Sequence, residues 1–118
     1  MRVINFGSLN VDHVYSVEQF VKPGETIASQ AYQKFVGGKG LNQSIALARA
    51  GATVSHAGSI GADGAMLRNV LIDDGVDVSS VFEVDQPSGH AIIQVDPAGE
   101  NCILLHGGAN QCNAPDMI

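Results

Sequence analysis

Tryptophan is absent from this chain, and cysteine occurs only at Cys102 and Cys112. Two cysteines in no metal-type or redox-type spacing exclude a thiolate metal site and a dithiol redox centre. They read as reduced thiols, with Cys102 inside an apolar run and so expected in the core. Positive charge is scarce as well: six Lys and Arg against twelve Asp and Glu leave a formal net charge of −6. No basic stripe is present to take a nucleic acid, and no polybasic segment to hold an anionic membrane surface. The apolar runs are far shorter than a membrane span, and the opening MRVINFGS lacks the plan of a secretory leader. These absences predict a cytoplasmic protein with neither membrane nor nucleic-acid partners.

Two phosphate-binding fingerprints are also missing. The P-loop needs Gly-Lys-Ser/Thr after a glycine and four spacer residues, but Lys39 is followed by Gly40. The dinucleotide fingerprint needs a third glycine where Gln43 stands. What the chain does have is a glycine cluster, FVGGKGLNQS, directly in front of a helical pattern. Glycines there let backbone approach a ligand closely, and the first turn of a helix has N–H groups free to donate. Asn42 in that turn can both donate and accept. A neutral polar ligand suits this set better than a phosphate does.

The 118 residues suffice for one small domain. VINFG reads as a buried parallel strand closed by glycine. VYSVEQF (14–20) and AYQKFV (31–36) alternate, as antiparallel strands with one exposed face would. A helix follows from about Gly40 to Ala50, stopped by Gly51 at C′. TVSHAGSIG is a second core strand, and Asp63 reads as the N-cap of a helix whose face is Met66, Leu67, Val70 and Leu71, closed by Gly75. VFEVD is a third core strand, and GHAIIQVD and NCILLHGG flank Pro97-Ala98-Gly99-Glu100 as a hairpin. Strand, helix, strand, helix, strand predicts an α/β sheet. The four alternating segments (14–20, 31–36, 89–96, 101–106) predict a separate small sheet. Asn113 or Ala114 before Pro115 is a helix-entry pattern.

A second polar set, GSLNVD, follows the first strand. In extended backbone Asn10 and Asp12 point the same way, at the carboxyl end of a core strand, where open α/β sheets bind ligands. Alone, Asn and Asp are ordinary turn formers, Lys39 is a solvated lysine, and three glycines make a structural turn. Together they suit a polyol, whose hydroxyls each donate and accept: Asp12 accepts, Asn10 does either, and Lys39 and backbone N–H groups donate. Asp73 and Asp74 read as a solvated helix end. His13, His56, His90 and His106 show no pairing that argues for a metal, and none is assigned to catalysis.

These residues resemble the ribokinase family, the PfkB-type carbohydrate kinases. The family's first signature runs through Gly37, Gly38, Gly40, Asn42, Ser44, Gly51 and Gly61 at the family's spacing, and GSLNVDHV, PGET, GGKGLNQ and GGAN resemble family segments in the same order. Met66 departs from a glycine that the family often has. The resemblance implies an incomplete ribokinase-like, Rossmann-type sheet with a β-sheet lid that also forms a dimer contact. It implies that Asn10, Asp12, Gly38, Lys39 and Asn42 contact sugar hydroxyls, with Ala91 and Ile93 reaching in from the lid. The family's second signature, Gly-Ala-Gly-Asp, which carries the catalytic Asp and the anion hole, does not occur in these residues. No catalytic, nucleotide or metal residue is therefore assigned here, and the single segment 1–118 is expected to be the N-terminal part of an ATP- and Mg2+-dependent sugar kinase, with ribose as the first substrate to expect and no kinase activity of its own. The alternative is a truncated, non-catalytic sugar-binding or dimerisation module.

Overall fold

A computed structural model describes residues 2–114 and 116. In chain order the elements are β1 (Arg2–Phe6), β2 (Asn10–Ser16), β3 (Ala31–Gly37), α1 (Lys39–Arg49), β4 (Thr53–Ile60), α2 (Ala65–Asp73), β5 (Asp77–Glu83), β6 (Gly89–Val95) and β7 (Asn101–His106), then a 3-10 turn at Gly108–Cys112. They form two sheets. The core sheet is parallel, in the order β1-β4-β5. The lid sheet has the order β3-β2-β6-β7, with β2 and β6 parallel and both outer pairs antiparallel hairpins.

β4 is central and almost wholly buried, as a parallel strand covered on both faces must be. Leu41 of α1 and Leu67 and Leu71 of α2 are fully buried with Leu9, Val54 and Ile60. Each such side chain contributes roughly 1.5–3 kcal/mol of burial. Met66 and Val70 pack at the edge of this cluster, so the predicted face of the second helix is the observed one.

Both helices stop as expected. Gly51 takes φ 100° and Gly75 φ 78°. Ala52 N–H reaches Leu47 O at 3.1 Å, and Val76 N–H reaches Leu71 O at 2.9 Å. A left-handed C′ glycine followed by that long return bond is the Schellman stop.

Several expectations need correction. The first lid strand starts at Asn10 and ends at Ser16, rather than covering 14–20. Asn10 to Asp12 pair on one side with Gly37 to Phe35 and on the other with Gly89 to Ala91, so polar residues are accommodated where facing glycines leave room. Asp63 is not the N-cap. Gly64 occupies that position without a side-chain cap, and Asp63 Oδ1 instead accepts Ser88 N–H at 2.9 Å. Burial pushes the Asp63 carboxyl up, but the Ser88 hydrogen bonds outweigh it and hold the pKa below the ordinary value. Cys102 is exposed, not core, because both faces of β7 are open. Asp74 is half-buried and pairs with Arg49 at 3.2 Å, so it is more than a solvated helix end. Of the helix-entry pattern, Asn113 is extended, with φ −65° and ψ 135°, and Pro115 lies outside the described residues.

The chain passes between the sheets three times, at 7–9, at Gly38 and at 84–88, and leaves the lid a last time at Gly107 for the 3-10 turn. These passages gather at one end of the lid. A Cβ on Gly38 would lie 2.7 Å from Ser8 O, and one on Gly89 would lie 2.9 Å from Gly107 O. No helix among the described residues is long and apolar enough to cross a membrane.

Candidate functional site

The glycine turn is built by contact between two pieces of backbone. Gly38 has φ 101°, which favours glycine. A Cβ there would meet Ser8 O at 2.7 Å and Asn10 N at 3.1 Å, and a Cβ on Gly40 would meet Gly7 C and Ser8 N at 2.5 Å. The missing side chains thus let the 7–10 segment lie against the start of α1. The first-turn donors are also partly taken. Leu41 N–H donates to Ser8 O at 3.0 Å, Asn42 N–H to Gly38 O at 3.0 Å, and Gly40 N–H faces Ser8 Oγ at 3.5 Å. In its first turn α1 exposes the side chains of Lys39, Asn42 and Gln43.

Asn10 and Asp12 stand on β2 beside this turn, two residues apart and on one face. The Asp12 carboxylate lies over Gly37, where a Cβ would come 2.7 Å from Oδ2. Ala91 is the register partner of Asp12, and Ile93 that of Val14. Ala91 is buried and Ile93 half-buried. Asn10, Asp12, Ala91 and Ile93 therefore share one lid face, whose base meets Gly38 and the start of α1.

The opposite lid face carries a different set. His13 Nδ1 lies 2.7 Å from the Tyr32 hydroxyl, and the rings of His13, His90 and His106 follow one another at 5.9 and 5.2 Å. A cleft of about 380 Å3 lined by Tyr15, Val17, Val21, Ile92 and Gln94 opens on this face under the 17–30 loop. It lies on the face away from Asp12, and Glu25, Thr26 and Ser29 also line it.

Sequence reasoning missed two groups of supporting residues. Asn110, in the 3-10 turn, accepts Leu9 N–H at 3.0 Å and donates to Leu9 O at 3.3 Å and to Asn10 Oδ1 at 2.6 Å. Gly89 makes space for it, since a Cβ there would overlap Asn110 Nδ2. The signal was the asparagine of GGAN, separated from Asn10 by a hundred positions.

The second group lies under the glycine turn. Asn5 Nδ2 donates to Gly40 O and Ser44 Oγ, both at 2.9 Å. His56, fully buried, has Nε2 3.0 Å from Gly7 O and Nδ1 2.7 Å from Ser44 Oγ. A carbonyl can only accept, so Nε2 carries the proton and Nδ1 accepts from the Ser44 hydroxyl. Burial lowers the His56 pKa, partly offset by the bond to Gly7. The neutral ring thus braces both walls of the site.

Asp12, Asn10, Asn42 and Lys39 present a carboxylate, two side-chain amides and an ammonium, groups whose chemistry matches hydroxyls. The set does not fit a nucleoside triphosphate or its cation. Two of the amides in the glycine turn face Ser8, and among the described residues no three His, Cys, Asp or Glu are grouped to hold a metal.

Residues 2–117 match the pattern of the pfkB family of carbohydrate kinases. Ribokinase of Haemophilus influenzae is 47% identical over 107 residues, which cover 88% of this chain and 35% of that protein. Among solved structures, ribokinase from Cryptococcus neoformans var. grubii in complex with ADP aligns with a TM-score of 0.87 at 43% identity, over 92% of this chain and 35% of that one. Arabidopsis thaliana ribokinase complexed with ribose and ATP aligns with a TM-score of 0.82 at 33% identity, over 91% and 36%. The chain spans about a third of the length of these relatives.

Proposed function

We propose, for a chain that belongs to the pfkB family of carbohydrate kinases, that the Asn10–Asp12 face and the start of α1 bind a sugar, with ribose as the first candidate. Asp12 accepts hydroxyl protons, and Asn10, Lys39 and Asn42 complete the hydroxyl set. Gly38 holds the two walls together, and Ala91 and Ile93 provide the apolar surface of a lid over the ring. The observation that carries this reading is that Asn10 and Asp12 share one face directly beside the outward side chains of α1's first turn.

In the complete protein the reaction is transfer of the γ-phosphoryl of ATP to a primary hydroxyl of the sugar, in the cytoplasm. ATP with Mg2+ supplies the phosphoryl group and neutralises its charge, held by residues other than those described. This chain's residues bind and orient the sugar. Ile4 and Phe6 on β1 and Phe82 on β5 are exposed apolar groups on the core strands, which supports further chain packing against that sheet. Exposure of 54%, 70% and 69% at Ile103, Leu104 and Leu105 supports association of two copies through the lid. ATP-dependent phosphorylation of ribose by the full-length protein, together with ribose binding by calorimetry, tests the reading. Absence of both with every pentose, hexose and nucleoside overturns it.

A further inference from the structure

We infer that Asn110 sets the polarity of the Asn10 amide, so that Asn10 meets the ligand as a hydrogen-bond donor while Asp12 beside it accepts. The inference rests on the sugar-site reading above. It begins at backbone atoms, whose roles cannot be exchanged. Leu9 N–H can only donate, and its partner at 3.0 Å is therefore the Asn110 oxygen. Leu9 O can only accept, and its partner at 3.3 Å is the Asn110 nitrogen. With both ends fixed, the second hydrogen of that nitrogen goes to the nearest group, Asn10, at 2.6 Å. That atom of Asn10 must then be the carbonyl oxygen.

The two heteroatoms of an amide point to opposite sides, so Nδ2 of Asn10 faces away from Asn110. The site then carries a fixed pair: a donor at Asn10 and an acceptor at Asp12. A hydroxyl set between them accepts from the first and donates to the second. Nothing local to β2 would impose this choice, because an asparagine side chain can rotate its amide by a half turn. The choice comes from a turn a hundred residues later, and Gly89 is the gap that lets Asn110 reach in. Asn110 is thus a positioning residue.

The test is a cycle between Asn110→Asp and the sugar hydroxyls, read by calorimetry on the full-length protein with ribose, 2-deoxyribose and 3-deoxyribose. The aspartate still accepts Leu9 N–H but repels the Asn10 oxygen, so Asn10 turns over and presents its carbonyl. Ribose affinity is expected to fall about tenfold or more, while the deoxy sugar lacking the bridging hydroxyl loses less than about twofold. Equal losses on all three sugars mean that Asn110 merely supports the fold, and overturn the inference, as does no loss on any. If Asn110→Asp fails to fold, two readouts remain. Asn10→Asp keeps the acceptor for Asn110 but replaces the donor by a carboxylate oxygen, which can no longer donate to the bridging hydroxyl, so it should show the same selective loss. In the unaltered protein the Asn10 side-chain amide protons should shift and exchange more slowly when ribose binds, and an unchanged signal at saturation overturns the inference. Asp12→Ala separates the two layers. If it leaves ribose affinity unchanged, the sugar-site reading falls, and this inference with it. If it weakens ribose while Asn110→Asp acts equally on all sugars, only the inference falls.

Discussion

Gly38 is required by Ser8 before it is required by any ligand. Its φ of 101° and the 2.7 Å approach of Ser8 O mean that Gly38→Ala should cost roughly 1–3 kcal/mol of stability, visible as a lowered unfolding midpoint without sugar. An unchanged midpoint would return the glycine to a purely ligand-facing role. Asp12→Ala should act in the opposite manner. It removes a charged acceptor worth about 1.5–3 kcal/mol per hydrogen bond, so ribose affinity measured by calorimetry should drop at least tenfold while the fold stands. His56 makes stability depend on pH. Its folded pKa lies below the ordinary 6.5, so below pH 6.5 the unfolded imidazole takes up a proton that the buried one refuses. Stability is full above that value and falls as pH drops from it towards the lower folded value. Urea unfolding between pH 7.5 and 5 should show a steeper acid loss in the unaltered chain than in His56→Gln. Parallel curves would mean that the ring is not held neutral.

At the scale of the elements, legibility followed the range of the interaction. The helix stops at Gly51 and Gly75, the burial of Leu67 and Leu71 and the hairpin at 96–100 depend on neighbours a few positions apart, and all were readable from the sequence. The start of β2 was misplaced because Asn10 becomes a strand residue through pairing with Gly37 and Gly89, and Asp12 through pairing with Phe35 and Ala91, all distant in sequence. The same distance hid Asn110 and the Asn5–Ser44–His56 brace. Asp63 looked like a cap because its local pattern fits one, yet the Ser88 amide captured it from 25 positions away. Sheet position also orders local stability. β4 is paired on both sides and buried, whereas β3 and β7 are edges of the lid with almost every residue exposed. Amide exchange should therefore be slowest in β4 and fastest in β3 and β7; equal protection would contradict this layering.

The whole molecule is long and thin, 49 × 31 × 18 Å with a radius of gyration of 16.0 Å, against roughly 13.5 Å for a compact domain of this length. The excess reflects a lid that projects from the core with β7 bare on both faces. Leu104 shares the face of Ile92, and Ile103 and Leu105 that of Ala91 and Ile93, so two copies meeting across the Leu104 face would cover Leu104 and leave the Asp12 face open. Leu104→Glu should then convert an associated species to monomer at micromolar concentration in light scattering; a monomer before substitution would refute association through the lid. The three passages between the sheets, with the exit at Gly107, carry a separate consequence. Each lid hairpin leaves the core and returns to it at the same glycine-lined end, and both far tips, at 17–30 and 96–100, hang clear of it. The hairpins are in effect cassettes plugged into one socket. Their tips can be lengthened, shortened or exchanged between relatives without recutting the core, whereas the socket admits no added side chain. New substrate ranges should thus arise by changing the cassette and keeping the socket.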